Sequence, residues 1–277
     1  LKVAVLIQGE PRFCQEFDFF LENLVGYDHV DWFFYLWKTS DSSQTVQGTD
    51  GHILVADRWQ NIDINWAIDK LQSNLPENHY VAGIEIADQH TIPIPVIKRK
   101  LGYGVNVPNV WKMWHSQYKV NQMRLDYEKE NDVFYDVVIR TRPDVALLDI
   151  VNVKVVNDHL VKNPNLVIIP KNRLVGETME RVMCDLVGIS NSQNMTTYTD
   201  LINHALEYNR LGEEFHPENL LSCHLTKQGL ERGLADFSIE MRWLGDWQNI
   251  HTRDIVPVHK IKNGKDFKYT SRFGRWE

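Results

Sequence analysis

The sequence lacks any apolar run approaching the roughly 18 residues that a membrane span requires, and it opens on Leu1-Lys-Val-Ala-Val-Leu-Ile7, a strand rather than a signal peptide. The expectation is a soluble protein of the cytoplasm. Cysteine is scarce: Cys14, Cys184 and Cys223 lie far apart with no C-x-x-C spacing, which argues against a disulfide framework or a zinc knuckle and for reduced, buried thiols. Positive charge is not in excess either. A formal net charge of -7 argues against a sequence-independent nucleic-acid binder resting on many phosphate contacts, while leaving room for a local basic patch. The phosphate-cradling loops G-x-G-x-x-G and G-x-x-x-x-G-K-[ST] are both missing. So are internal repeats, low-complexity tracts and sustained heptads. The eleven histidines are scattered with no H-E-x-x-H, which argues against a metal-dependent hydrolase.

What the chain does have is length, 277 residues, enough for one large α/β domain, and a central decapeptide, Tyr135-Asp-Val-Val-Ile-Arg-Thr-Arg-Pro-Asp144. Tyr135 to Ile139 reads as a buried strand that delivers Arg140, Arg142 and Asp144 to a sheet edge. In an open α/β sheet the crevice beyond the strand carboxyl ends binds ligands, and two arginines with an aspartate suit an anionic ligand accompanied by a cation. Pro143 holds its own backbone angle and biases Arg142 toward extended geometry.

Around this strand the pattern predicts others. Lys2 to Gln8 is a strand closed by Gly9, followed by a polar turn with Arg12 and a helix over Phe13 to Leu24. Arg12 is placed to meet a phosphate or, equally, to pair with Glu10 or Asp18. Val30 to Trp37 and Tyr80 to Ile86 are further strands, and Trp37 ends the first of them as a ring for stacking on a base or sugar, or for the core. Asn65 to Leu75 reads as a helix, and residues 87 to 108 as a long irregular connection of functional length. Val110 to Glu130 is the clearest helix, with Asn109 as its cap.

Beyond the decapeptide, Val145 to Val156 reads as extended chain and Leu166 to Pro170 as a strand. Arg181 to Ile189 reads as a strand containing Asp185, an acid in an apolar run that needs a partner. Asn191 to Leu211 is helical, and His216-Pro-Glu218 starts a helix over Asn219 to Gly229, where an acid in the first turn gains from the helix dipole. Trp243 to Glu277 is a basic tail suited to cover a pyrophosphate or to remain a solvated arm.

Four pieces in order, the Gly9-Glu-Pro-Arg12 turn, the Phe34 to Trp37 strand end, the Arg140-Thr-Arg-Pro-Asp144 segment and the late His216-Pro-Glu218-Asn-Leu-Leu, together resemble small GT-A-fold glycosyltransferases. The likeness is to polysaccharide-building transferases of bacteria and large algal viruses that carry Arg-x-Arg-Pro-Asp. It implies a GT-A-like, Rossmann-type mixed sheet flanked by helices in a single domain, with residues 1–150 as the donor-binding half and 151–277 as the acceptor-binding half. It further implies transfer from a UDP- or GDP-linked sugar to a glycan hydroxyl, with inversion.

Carried over by position, the resemblance makes Gln8, Gly9, Arg12, Trp37, Arg140, Arg142 and Asp144 donor-binding. Glu218 becomes the base on the acceptor hydroxyl, and Asp185 an acid facing a sugar. Asp144 matches the second acid of the family's Asp-x-Asp, which holds a divalent cation, manganese or magnesium, while Arg142 stands where the first acid would be. One carboxylate is a poor cation site. Either the metal leans on the donor phosphates and on His251 or His259, or arginines and the basic tail replace it. The missing acid keeps a second reading open, a non-catalytic nucleotide- or glycan-binding protein on the same fold.

Overall fold

A computed structural model describes residues 1–10, 22–38, 75–97, 105–143, 145–147, 149–170 and 185–235, with short pieces at 46–47, 53–54, 69, 72–73, 101–102, 239–241, 269–270 and 275–276. The main sheet is built from β1 (Lys2–Gly9), β2 (His29–Trp37), β3 (His79–Ala87), β4 (Val137–Thr141), β5 (Leu166–Pro170), β6 (Gly188–Ser190), β7 (Glu231–Ala235), β8 (Tyr269–Thr270) and β9 (Arg275–Trp276). Their order across the sheet is β8-β9-β7-β5-β6-β4-β1-β2-β3. Pairs β4–β1, β1–β2, β2–β3 and β5–β7 are parallel; β6 runs antiparallel to both β4 and β5. The result is a mixed α/β sheet of Rossmann type, to which strands from both sides of residue 150 contribute.

The helices are α1 (Val107–Asn131), α2 (Val153–Lys162), α3 (Ser192–Thr199), α4 (Leu201–Arg210) and α5 (Pro217–Lys227). Both faces of the sheet are covered, which is why β1 and β2 read as unbroken apolar runs rather than alternating ones. On one face Val3, Val5, Ile7, Trp32, Phe34, Val137 and Ile139 pack with Val153, Val156 and Leu160 of α2. On the other, Ala4, Leu6, Phe33, Tyr35, Trp37 and Val138 meet α1, α3, α4 and α5 through Trp114, Val120, Tyr198, Leu201 and Leu221.

Four expectations are corrected. The helix read from Val110 begins at Val107, capped by Asn106, whose side chain accepts from Asn109 N–H; Pro108 is accommodated because the first turn needs no donor there. The extended reading of Val145 to Val156 fails after Asn152, which caps α2 by accepting from the N–H groups of Lys154 and Val155. Its valines recur at helical spacing and bury Val153, Val156 and Leu160 together. The strand read over Arg181 to Ile189 is confined to Gly188–Ser190 among the described residues, so Asp185 lies before it and not within it. The helix read over Asn191 to Leu211 is two helices broken at Asp200. The helices expected over Phe13 to Leu24 and Asn65 to Leu75, and the basic tail, lie mostly outside the described residues; within them, Leu24 is not helical but pairs as strand with Val151.

Candidate functional site

The chain leaves β1 for β2 on one side and returns to β4 on the other, so the strand order reverses between β1 and β4. This is the position at which open α/β sheets bind ligands. Gly9 closes β1 at φ 120°, a conformation that side chains with a Cβ rarely adopt, and a Cβ built there would stand 4.0 Å from Cδ of Pro143. Leu6 pairs with Arg140 and Ile7 with Thr141, so alternation places Gln8 and Arg140 on the helix-rich face. Both amide atoms of Gln8, the Thr141 hydroxyl and Nε of Arg140 are buried without a hydrogen-bond partner. Nη2 of Arg140 lacks a partner among the described residues as well; Gln8 and Arg140 carry these atoms on one face of the sheet and Thr141 on the other, an exception to the rule that buried polar groups are paired. Arg142, half-buried, follows β4 and accepts at its carbonyl from Val145 N–H at 3.2 Å.

Arg140 is wholly enclosed. Its Nη1 donates to the carbonyl of Asp185, and the Tyr198 phenol lies against the guanidinium. Burial lowers the proton affinity of Arg140, while Tyr198 and the Asp185 charge act to restore it. The charge of Asp185 acts in turn on the start of α5. There His216 precedes the helix, Pro217 opens it and Glu218 sits in the first turn. Glu218 is half-buried, and burial, with the Asp185 charge second, pushes its carboxyl up to about 8. Burial lowers His216, with Asp185 and Glu214 pulling the other way. The Nδ1 of His216 has no hydrogen-bond partner. The preceding connection closes over it: Gly102 N–H donates to Phe215 O at 3.2 Å, and a Cβ on Gly102 would stand 2.9 Å from Cδ2 of His216.

Gln8, Gly9, Arg140 and Arg142 therefore share the switch point; Asp185 is bonded through its carbonyl to Arg140, and its charge acts on Glu218. Trp37 ends β2, but its ring is 4% exposed and stacks on His115 of α1 at 6.2 Å, so it packs under the helix. Tyr35 reaches His115 Nε2 through its hydroxyl at 3.4 Å. Arg12, Asp144 and His251 lie outside the described residues.

His216 and Tyr198 escaped the sequence reading. His216 carried a signal, since it stands beside the helix-opening Pro217, whereas Tyr198 sits in a polar helix whose packing nothing local announces.

For a divalent cation, no group of three His, Cys, Asp or Glu side chains comes together among the described residues. Those residues thus do not make up a cation site by themselves, and no step is assigned to one. Nor does any described helix have the length and apolarity to cross a membrane. No protein-family model matches this chain, and no curated protein matches it.

Proposed function

We propose that this protein is a glycosyltransferase that moves a sugar from a nucleoside diphosphate sugar, uridine- or guanosine-linked, to a glycan hydroxyl, with Glu218 as general base. The observation that carries the reading is Glu218 itself: a half-buried carboxyl with a proton affinity near 8, held beside Asp185. A base works best when its pKa lies near the working pH. The sheet's switch point, with Gln8, Gly9 and the Arg142 turn, suits the anionic half of such a donor. The GT-A resemblance of Arg140-Thr-Arg-Pro-Asp144 and His216-Pro-Glu218 supports the same reading.

In this reaction the Glu218 carboxylate takes the proton of the acceptor hydroxyl as that oxygen bonds to the anomeric carbon. The bond from that carbon to the diphosphate oxygen breaks, the diphosphate leaves with the electron pair, and the configuration inverts. Positive charge near the leaving diphosphate lowers the barrier, and Arg142 with the basic tail is the source that the sequence offers.

A thermal-shift panel of nucleoside diphosphates and their sugars, with and without manganese, tests the reading. Stabilisation by one nucleotide series supports the donor site and names the base; a larger shift with manganese brings a cation into it. Stabilisation without turnover for any acceptor favours a nucleotide-binding protein, and no shift at all contradicts the donor site.

A further inference from the structure

In the antiparallel pair β4–β6, Gly188 stands opposite Arg140. A Cβ at Gly188 would lie 3.1 Å from both Cε2 and Cζ of Tyr198 and 3.3 Å from its hydroxyl oxygen. The missing side chain is therefore the space through which the Tyr198 ring, itself wholly buried, crosses β6 to the guanidinium. Arg140 is 0% exposed; its Nη1 donates to the main chain of Asp185, three positions before Gly188, and the Tyr198 phenol is the other polar group against it, while Nε and Nη2 have no partner among the described residues. Val187, between them, is buried in the core of the opposite face. Asp185 is thus held from two sides, by the strand that starts at Gly188 and by the cation beneath its carbonyl.

Burying a charge costs several kcal/mol after relaxation, more than an apolar side chain of similar volume would. A guanidinium enclosed in this way is explained by what it holds. We propose that Arg140 is a positioning residue, which by gripping the Asp185 main chain beside Tyr198 fixes the Asp185 carboxylate at Glu218, and which does not itself touch the donor. This replaces the donor-binding role that the sequence suggested for Arg140, and it rests on the reading of Glu218 as the base. Among the described residues, the charged and titratable groups of this cluster are Asp185 before β6, Glu214 and His216 before α5, Arg140 behind Asp185, and Arg142 and Tyr198 acting on Arg140.

The test is a carbon-13 NMR titration of the glutamate carboxyls in the full chain, without substrate, with Glu218 identified from its absence in Glu218→Gln. Asp185→Asn is expected to lower the Glu218 midpoint by about one pH unit, because a neighbouring negative charge is removed. Arg140→Met and Gly188→Ala are each expected to lower it comparably, because Asp185 is released, and Arg140→Met is expected to add nothing in the Asp185→Asn background.

A rise on Arg140→Met, which loss of a nearby cation alone would produce, overturns the proposal. So does an unchanged midpoint, or an undiminished effect in the Asp185→Asn background. Should Arg140→Met not fold, Gly188→Ala decides, since it keeps the charge: a fall supports positioning and no change overturns it. The titration needs no turnover. The expected pattern in a chain that transfers no sugar leaves positioning standing and removes the function; transfer that depends on Glu218, with a midpoint indifferent to Arg140, does the reverse.

Discussion

The Asp185 carboxylate raises the proton affinity of Glu218, although one lies on the approach to β6 and the other in the first turn of α5. With burial as the larger cause, the pair carries the Glu218 carboxyl from an ordinary 4.5 up to about 8.

A stability signature follows. The folded chain holds the Glu218 proton between pH 4.5 and about 8 while the unfolded chain has released it. The stabilisation from this group is full below the unfolded value and is lost as pH rises through that window. Glu218→Gln is expected to melt above the wild type at pH values above 8 and to lose that advantage as pH falls toward 4.5. Melting curves against pH that run parallel for the two proteins would contradict the shift.

His79 gives the opposite sign. Trp32 Nε1 donates to His79 Nδ1 at 3.2 Å, which leaves the proton on Nε2, 2.8 Å from the Tyr27 hydroxyl. Burial, then the neighbouring His29, pulls the imidazole down to about 4. Between that value and the ordinary 6.5 the unfolded chain takes up a proton that the folded one refuses, so stability is lost as pH falls through the window. Nitrogen-15 NMR of the imidazole is expected to show the Nε2–H tautomer throughout it. Protonation of His79 near 6.5 would refute this.

Arg124 ties α1 to α3. Enclosed completely, it donates to Glu128 Oε1 at 2.7 Å, to Asn121 Oδ1 at 2.9 Å and to Thr196 Oγ1 at 3.0 Å, and also to the Ser192 hydroxyl. Arg124→Met leaves Glu128 buried without its counter-charge and is expected to cost about 3–5 kcal/mol in urea unfolding. Arg124→Met with Glu128→Leu is expected to recover part of that loss. A single variant as stable as the wild type would show that the network is not closed in solution.

Asp144 follows the end of β4 and Pro143 in the sequence. Asp144→Ala is expected to lose sugar transfer with an unchanged melting temperature, because a residue past a strand mouth contributes little to the core. A large fall in melting temperature would make its role structural.

Where burial on both faces leaves a continuous apolar signature, strands were legible: Leu166–Pro170 was read residue for residue and β1 and β2 within a residue at each end, as was the more exposed β3. By contrast β4, read as Tyr135 to Ile139, runs Val137–Thr141, and β7 was not read. Val153 to Val156 was not, because β-branched residues favour strands locally while tertiary packing, with the Asn152 cap, makes them a helix. At the site, the residue types were legible and their partners were not. The effect of the Asp185 charge on Glu218, and the passage of Tyr198 over Gly188, depend on the register of β6 against β4, which no local pattern encodes. Arg140 was legible as a charged residue near the end of an apolar strand, but its full burial and its bond to the Asp185 carbonyl were not.

The most direct test measures donor binding and donor turnover on the same preparations of wild type and Glu218→Gln near pH 8. The account predicts unchanged donor affinity, a rate about 10²–10⁴ lower in the variant, and a wild-type rate that climbs with pH to a plateau above about 8. Turnover that survives Glu218→Gln, or a wild-type rate flat across that range, would contradict it.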